Sequence, residues 1–343
     1  MPKKRTTSAA PCAGARKARM PSVINPMLAT LVDDPFSHPD WIFETKWDGF
    51  RSVCFVRNGK ARFVSRNQIE MTPQYPELAQ VAKQIDAKQA ILDGEICALD
   101  KNGIPRFQLL QRKGSIETLR PPIVYFVFDL LYVDGYDLMQ CSVVERKAKL
   151  AEILRSSNFI KLSGHVEGEG EAFFREIEKF HLEGMMAKRA ASKYVQKRSS
   201  DWLKIKTIMR SEVVIGGYTQ PRGTRSHFGS LVCGLYRDGD LHYVAHVGGG
   251  FNERTLASIY KMMQPLKSDN GPFVAVPKTN EQVQWLKPKL VAEVKFSEWT
   301  ADKRMRHPVF IGMREDKKAT NCRFEFESDT DKIVQKPKRR RKP

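Results

Sequence analysis

Branched and aromatic residues crowd two runs of the chain, 90–99 (AILDGEICAL) and 123–133 (IVYFVFDLLYV), a composition that suits a pleated, buried surface and predicts strands. Residues 144–154 and 171–182 instead repeat their apolar positions at helical spacing beside charged faces, and predict helices. A long β-α-β alternation is missing, which argues against a doubly wound parallel sheet and for antiparallel sheets with helices among them. After Lys206 the texture turns to strand, turn, strand: 213–219, then 229–236, Asp238-Gly239, and 241–247. Asp-Gly between two such runs predicts a hairpin. A helical segment at 252–264, a Pro-rich connector and a strand-like run at 290–299 complete a pattern that fits a small barrel of the OB-fold type. The expected class is α+β, with a first domain over 21–208, a barrel over 209–325, and tails at 1–20 and 326–343.

Composition agrees with this division and adds a partner. A chain of 343 residues suits two domains, and 41% hydrophobic with 10% aromatic residues excludes wholesale disorder of the body. No run approaches the ~18 uninterrupted apolar residues of a spanning helix, and the basic N-terminus lacks an apolar leader, so a soluble protein with no membrane association or secretory address is expected, cytoplasmic and nucleoid-associated if its host is bacterial. The formal charge of +19 is concentrated at the ends. Lys3, Lys4, Arg5, Arg16, Lys17 and Arg19, with Lys336, Lys338, Arg339, Arg340, Arg341 and Lys342, supply twelve of those charges. Such single-sign ends read as arms that track a polyanion without sequence preference. Six scattered cysteines (Cys12, Cys54, Cys97, Cys141, Cys233, Cys322) show no C-x-x-C spacing. They predict six ordinary thiols in a reducing compartment, with neither a zinc site nor a disulfide.

The candidate chemistry begins at Glu44-Thr45-Lys46-Trp47-Asp48-Gly49-Phe50-Arg51, where a lysine stands two residues from a carboxylate in apolar surroundings. A lysine becomes a nucleophile when burial, neighbouring cations or a metal strip its proton. Asp93 and Glu95 alternate along a predicted strand and share a face; Phe128 and Asp129 lie on opposite faces of theirs. Glu183-Gly184 leads to Lys188, and in Trp202-Leu203-Lys204-Ile205-Lys206 both lysines point one way. Two ammonium groups on one strand face are tolerable when an anion such as a phosphate lies against them. Taken singly, these are a surface turn, a core aromatic, a helix end and a solvated edge; their order along one chain is what those plain readings leave unexplained.

That ordered series resembles the covalent nucleotidyltransferases, and among them the ATP-dependent DNA ligases, closest to the bacterial end-joining type. The matching segments are Lys46 to Gly49, Arg66, Asp93 to Glu95, Phe128 to Gly135, Glu183 to Lys188, Trp202 to Lys206, and Arg314-Glu315-Asp316-Lys317, so the likeness covers residues 25–320. One departure is Gly248-Gly249-Gly250, where the family pattern leads one to expect a threonine between two glycines.

The resemblance implies a nucleotidyltransferase (adenylation) domain followed by an OB-fold, and a chemistry in which Lys46 takes AMP from ATP and passes it to a nicked DNA end. It implies that Glu44 contacts the adenine amino group with Thr45 beside it, that Arg51 and Glu95 hold the ribose, and that Phe128 stacks on the base. Glu183, with Asp48 and Glu95, would hold Mg2+ or Mn2+; Lys204 and Lys206 would meet the α-phosphate and act with Lys46 in catalysis. Arg66 and Arg198 would serve the nucleotide or the nick. Arg314 and Lys317 would swing in about a hinge near 206–211 to orient the pyrophosphate. Further expectations are a monomer confined to two domains, nicked duplex DNA as substrate, and a Ku-like partner. RNA ligases and GTP-dependent capping enzymes share the lysine chemistry, and the Phe-Asp-Leu-Leu run and Arg-x-Asp-Lys favour DNA ligase over both. A noncatalytic DNA-binding protein on the same scaffold is disfavoured because Lys46, Glu95, Glu183, Lys204 and Lys206 are all present.

Overall fold

A computed structural model describes residues 10–110, 121–221, 223, 225–277, 279 and 281–335. Two compact units are distinguished: one built from the chain up to Thr207 together with Glu327 onward, the other from Ile208–Phe326.

The first unit contains two sheets. The seven-stranded sheet runs in the order Arg16–Lys17, Tyr136–Asp137, Ile123–Val133, Gln89–Ala98, Phe50–Arg57, Lys60–Ser65, with Ile160–Leu162 joining Ile123–Val133 in parallel. The five-stranded sheet runs Val166–Gly168, His38–Thr45, Gly184–Arg189, Arg198–Lys206, Leu28–Leu31. Period-two alternation decides which side of this sheet each residue serves. Ile42, Met186 and Trp202 pack with Val53, Ile91 and Leu131 of the larger sheet. Trp41, Phe43, Met185, Ala187, Leu203 and Ile205 pack on the other side with Phe174 and Ile177 of the helix Gly170–Lys179. The helix Val143–Ile153 starts on a capping box, in which Ser142 and Glu145 satisfy each other's backbone N–H groups.

In the second unit a six-stranded antiparallel sheet runs Asp240–Val247, Leu231–Arg237, Met209–Thr219, Val283–Phe296, Lys267–Ser268, with Val309–Met313 beside Val283–Phe296. A bridge between Gly249 and Val309 draws its ends together, which makes the sheet OB-like. Gly250 has φ +90° and its missing Cβ would meet the Phe310 backbone, whereas nothing lies within 4 Å of a Cβ on Gly249. A Cβ on Gly248 would also meet its neighbours only at ordinary contact distance, 3.9 Å, so within the three-glycine departure only Gly250 is closed to a side chain. The strand expected at 290–299 begins earlier, at Val283, because the ladder skips from Ile215↔Leu290 to Gly217↔Trp285 and Pro288 falls in the skipped stretch. Proline lacks the ladder donor and demotes a run when read from sequence, but it fits at such an irregularity.

Three expectations are corrected. Residues 16–18, expected in the N-terminal tail, are held in the sheet: Arg16–Lys17 pairs with Tyr136–Asp137, and Ala18 donates to the Gly135 carbonyl at 2.9 Å. Backbone pairing is indifferent to the side-chain charges that suggest a tail. Cys12 and Cys141 form a disulfide across 129 residues of sequence, with Cα atoms 6.3 Å apart, leaving Cys54, Cys97, Cys233 and Cys322 as buried thiols. Residues 328–334, expected in the C-terminal tail, are structured as well. Ser328 pairs with Val32, and Asp33 accepts from Thr330 N–H (3.0 Å) and Oγ1 (2.8 Å) to seat the helix Thr330–Val334. The remaining basic residues at 1–9 and 336–343 lie outside the described residues. No helix among the described residues is long and apolar enough to cross a membrane.

Candidate active site

Strand pairing gathers residues that are far apart in sequence. His38–Thr45 ends where Thr45 pairs with Met185, and Lys46 then donates its backbone N–H to the Gly184 carbonyl at 2.9 Å. This sets Lys46 against Glu183 in an ion pair whose side chains are 20% and 7% exposed. Burial disfavours the charged amine, but Glu183, then Glu95 and Asp48, outweigh it and hold the Lys46 ammonium above the ordinary lysine value. A lysine acts as a nucleophile only as the free amine, and these carboxylates favour the other form. Glu183→Gln removes the strongest of them. The titration midpoint of Lys46, followed by NMR of the 13C-methylated side chain, is expected to move to lower pH; an unmoved midpoint would show that Glu183 does not retain the proton.

The alternation expected in Trp202–Lys206 is present. Lys204 lies opposite Met186 and Lys206 opposite Gly184, on the Trp202 side of the strand, while Leu203 and Ile205 fill the core behind. Asp48, nearly buried, accepts from the Phe107 N–H at 3.3 Å. Arg51 lies directly opposite Glu95, and its guanidinium clamps Asp93 through Nε (3.0 Å) and Nη2 (2.6 Å). Asp93 also accepts from the Tyr194 hydroxyl at 2.6 Å, and the Arg51 cation lies 5.2 Å over the Phe128 ring. Arg66 lies in the turn just past the Ser52↔Ser65 pair, at the Arg51 end of that ladder. Arg198 stands at the opposite end of its strand from Lys206 and donates to the Ala29 carbonyl.

Glu44 occupies a setting that sequence reasoning missed. It is 1% exposed, 2.9 Å from Lys188 Nζ and 3.0 Å from Lys147 Nζ, and Lys147 also donates to the Ser163 carbonyl at 2.9 Å. Burial leaves Lys188 below the ordinary lysine value even though Glu44 opposes it, since Lys147 adds to the effect. Its ammonium lies over Phe128 (4.6 Å) and Trp202 (4.3 Å). The sequence around Lys147 reads as the charged face of a helix, and nothing local marks that lysine as buried. A second buried pair, Arg146 to Asp129, is bidentate at 2.7 and 2.8 Å with both side chains fully enclosed.

The second unit holds Arg314 and Lys317 in their own ionic cluster. Arg314 grips Asp316 through Nε and Nη2, both at 2.8 Å, and gives Nη1 to Glu293 at 2.9 Å, while Lys317 pairs with Glu212.

Residues 26–206 match the family model described as ATP dependent DNA ligase domain, and residues 224–317 match the ATP dependent DNA ligase C terminal region. The chain belongs to the ATP-dependent DNA ligases. The ligase is 36% identical over 310 residues to the multifunctional non-homologous end joining protein LigD of Pseudomonas aeruginosa, a match covering 88% of this chain and 37% of that protein. A DNA ligase of Pyrobaculum calidifontis is 33% identical over 276 residues, 74% of this chain and 47% of that one. The chain thus spans less than half the length of these relatives. Among solved structures, mycobacterial DNA ligase D complexed with ATP and MES matches with a TM-score of 0.64 and 33% identity, covering 87% of this ligase and 97% of that chain. The expected adenylation domain and OB-like region are both borne out.

Proposed function

We propose that this ligase seals 5′-phosphate/3′-hydroxyl nicks in duplex DNA, in the context of end joining, through an AMP carried on Lys46. The observation that carries this reading is Lys46 itself, paired with Glu183 and under the fields of Glu95 and Asp48, with only the strand Gly184–Arg189 between the strand it follows and the one that bears Lys204 and Lys206. The free Lys46 amine attacks the α-phosphorus of ATP; an N–P bond forms, the bond to the pyrophosphate oxygen breaks, and the amine gives up a proton. AMP then moves to the 5′-phosphate of the nick, freeing Lys46. The 3′-hydroxyl attacks that phosphate, loses its proton and releases AMP. Lys204 and Lys206 neutralise charge at the α-phosphate, and Arg314 and Lys317 orient the leaving pyrophosphate. Glu44, Arg51, Glu95 and Phe128 locate the nucleoside, with Arg66 on the nick side.

Carboxylate oxygens are the donors a hard divalent cation prefers, and Mg2+ commonly takes one or two of them with the rest from substrate phosphates and water. Glu183, Glu95 and Asp48 fit that use, although among the described residues no group of three such side chains is arranged to hold an ion alone. Bound there, a divalent ion would neutralise the carboxylates that keep Lys46 protonated and screen the triphosphate.

A nick-sealing assay comparing ATP, NAD and GTP on DNA and RNA substrates tests the assignment: ATP with DNA is the expected productive pair, and labelling by GTP but not ATP would overturn it. Deleting residues 1–9 and 336–343 removes nine positive charges. Binding to nicked DNA is expected to weaken and its log–log salt slope to flatten by about 0.9 for each phosphate that is no longer neutralised, with AMP transfer to Lys46 spared. An unchanged slope would show that these ends do not contact DNA and serve only as solvated, solubilising segments. A Ku-like protein is the proposed partner at broken ends.

A further inference from the structure

Glu212 on the strand Met209–Thr219 and Glu293 on Val283–Phe296 are direct cross-strand partners, so two carboxylates share one face of the ladder. Like charges placed directly opposite each other weaken a sheet. A pair of β-branched residues would serve the fold better, and charged clusters with little exposure are often neutral or worse for stability than apolar replacements. The two glutamates are instead explained by what they hold. Glu293 Oε2 lies 2.9 Å from Arg314 Nη1, and its Oε1 lies 3.7 Å from Arg210 Nη1. Glu212 reaches both residues of the terminal motif, Arg314 Nη2 at 3.5 Å and Lys317. Asp316 takes the remaining edge of the guanidinium, so its plane is fixed from two sides. Lys317, on the loop beyond Val309–Met313, is only 8% exposed, whereas an unheld loop lysine would extend into water.

We propose that Glu212 and Glu293 are positioning residues for nucleotide activation, a carboxylate cradle that sets the plane of Arg314 and the reach of Lys317 before either meets the triphosphate. The proposal rests on the reading of Arg314 and Lys317 as partners of the leaving pyrophosphate. Glu212, shared between the two cations, couples them; Glu293 acts on Arg314 alone of that pair.

Single-turnover measurements on the full chain separate the steps: formation of enzyme-bound AMP at saturating ATP, and sealing of a nick that already carries the 5′-adenylate. Glu212→Gln and Glu293→Gln are expected to lower the ratio of the first rate to the second by about tenfold each, as removal of a charge-assisted positioning bond does when it acts on one step. Glu212→Asp, which keeps the charge, is expected to recover part of that ratio. A proportional fall in both steps with a lower melting temperature would overturn the proposal in favour of a purely structural role. A rise in the ratio would also overturn it, since the cradle would then be withholding the cations. Arg314→Ala and Lys317→Ala are measured alongside. If they leave AMP transfer at the parental rate, the reading of those cations falls; if they abolish it while the glutamine variants match the parent, only the cradle falls.

Discussion

Lys46→Ala is expected to carry no AMP after incubation with ATP and divalent metal, a loss of at least about 10³-fold in adduct formation, because alanine offers no nucleophile in its place. Lys204 and Lys206 do not substitute, since they stand two strands away, opposite Met186 and Gly184, not at the junction that follows Thr45. The substitution keeps the backbone bond from residue 46 to Gly184 that organises the junction. Fold and DNA binding should therefore persist, and a nick supplied with a preformed 5′-adenylate should still be sealed, since that step needs no acceptor amine. Intact-mass spectrometry reads the result directly. One added AMP on the variant would remove Lys46 from the mechanism.

The largest stability effect is expected at Arg146. Its guanidinium is fully enclosed, clamps Asp129 through two bonds, and also donates to the Cys141 carbonyl at 2.7 Å and the Ser192 carbonyl at 3.2 Å. Arg146→Ala strands a buried carboxylate and two carbonyls together. Breaking a buried pair from one side costs about 3–5 kcal/mol, a large part of a domain's total stability. Urea denaturation should show the first unit unfolding at much lower concentration, while Asp129→Asn with Arg146→Met, which removes both charges, should lose less. Equal losses in the single and double variants would mean that the stranded charge is not the cause.

The elements that carry long patterns were legible from sequence, and the contacts between them were not. Gln89–Ala98 and Ile123–Val133 were visible as β-rich runs, and Val143–Ile153 as an amphipathic helix. The shared face of Lys204 and Lys206 follows from alternation alone. Glu44 with Lys188, 144 residues apart, and Arg51 with Asp93, 42 apart, depend on which strands become neighbours, and no local property of a lysine or an aspartate announces that. The contacts of Arg51 with Asp93 and with the Phe128 ring likewise come from strand pairing and not from the residues next to it. Lys147 was hidden by the habit of reading charged helix positions as solvated. Cys12 and Cys141 gave no spacing signal because their proximity is created by the short edge pairing of Arg16–Lys17 with Tyr136–Asp137.

The seat of the helix Thr330–Val334 has a consequence for how the protein is made. Ile333 and Val334 pack on the cluster formed by Val32, Phe36, Leu203 and Ile205, so the first unit draws part of its core from sequence beyond the whole of the second. Chains emerge from the ribosome N-terminus first, and units usually fold as they appear. Here part of that apolar surface stays uncovered until residues 327–335 have followed the OB-like unit out. A fragment cut at residue 206 or 317, where the family matches end, would leave the same surface permanently bare.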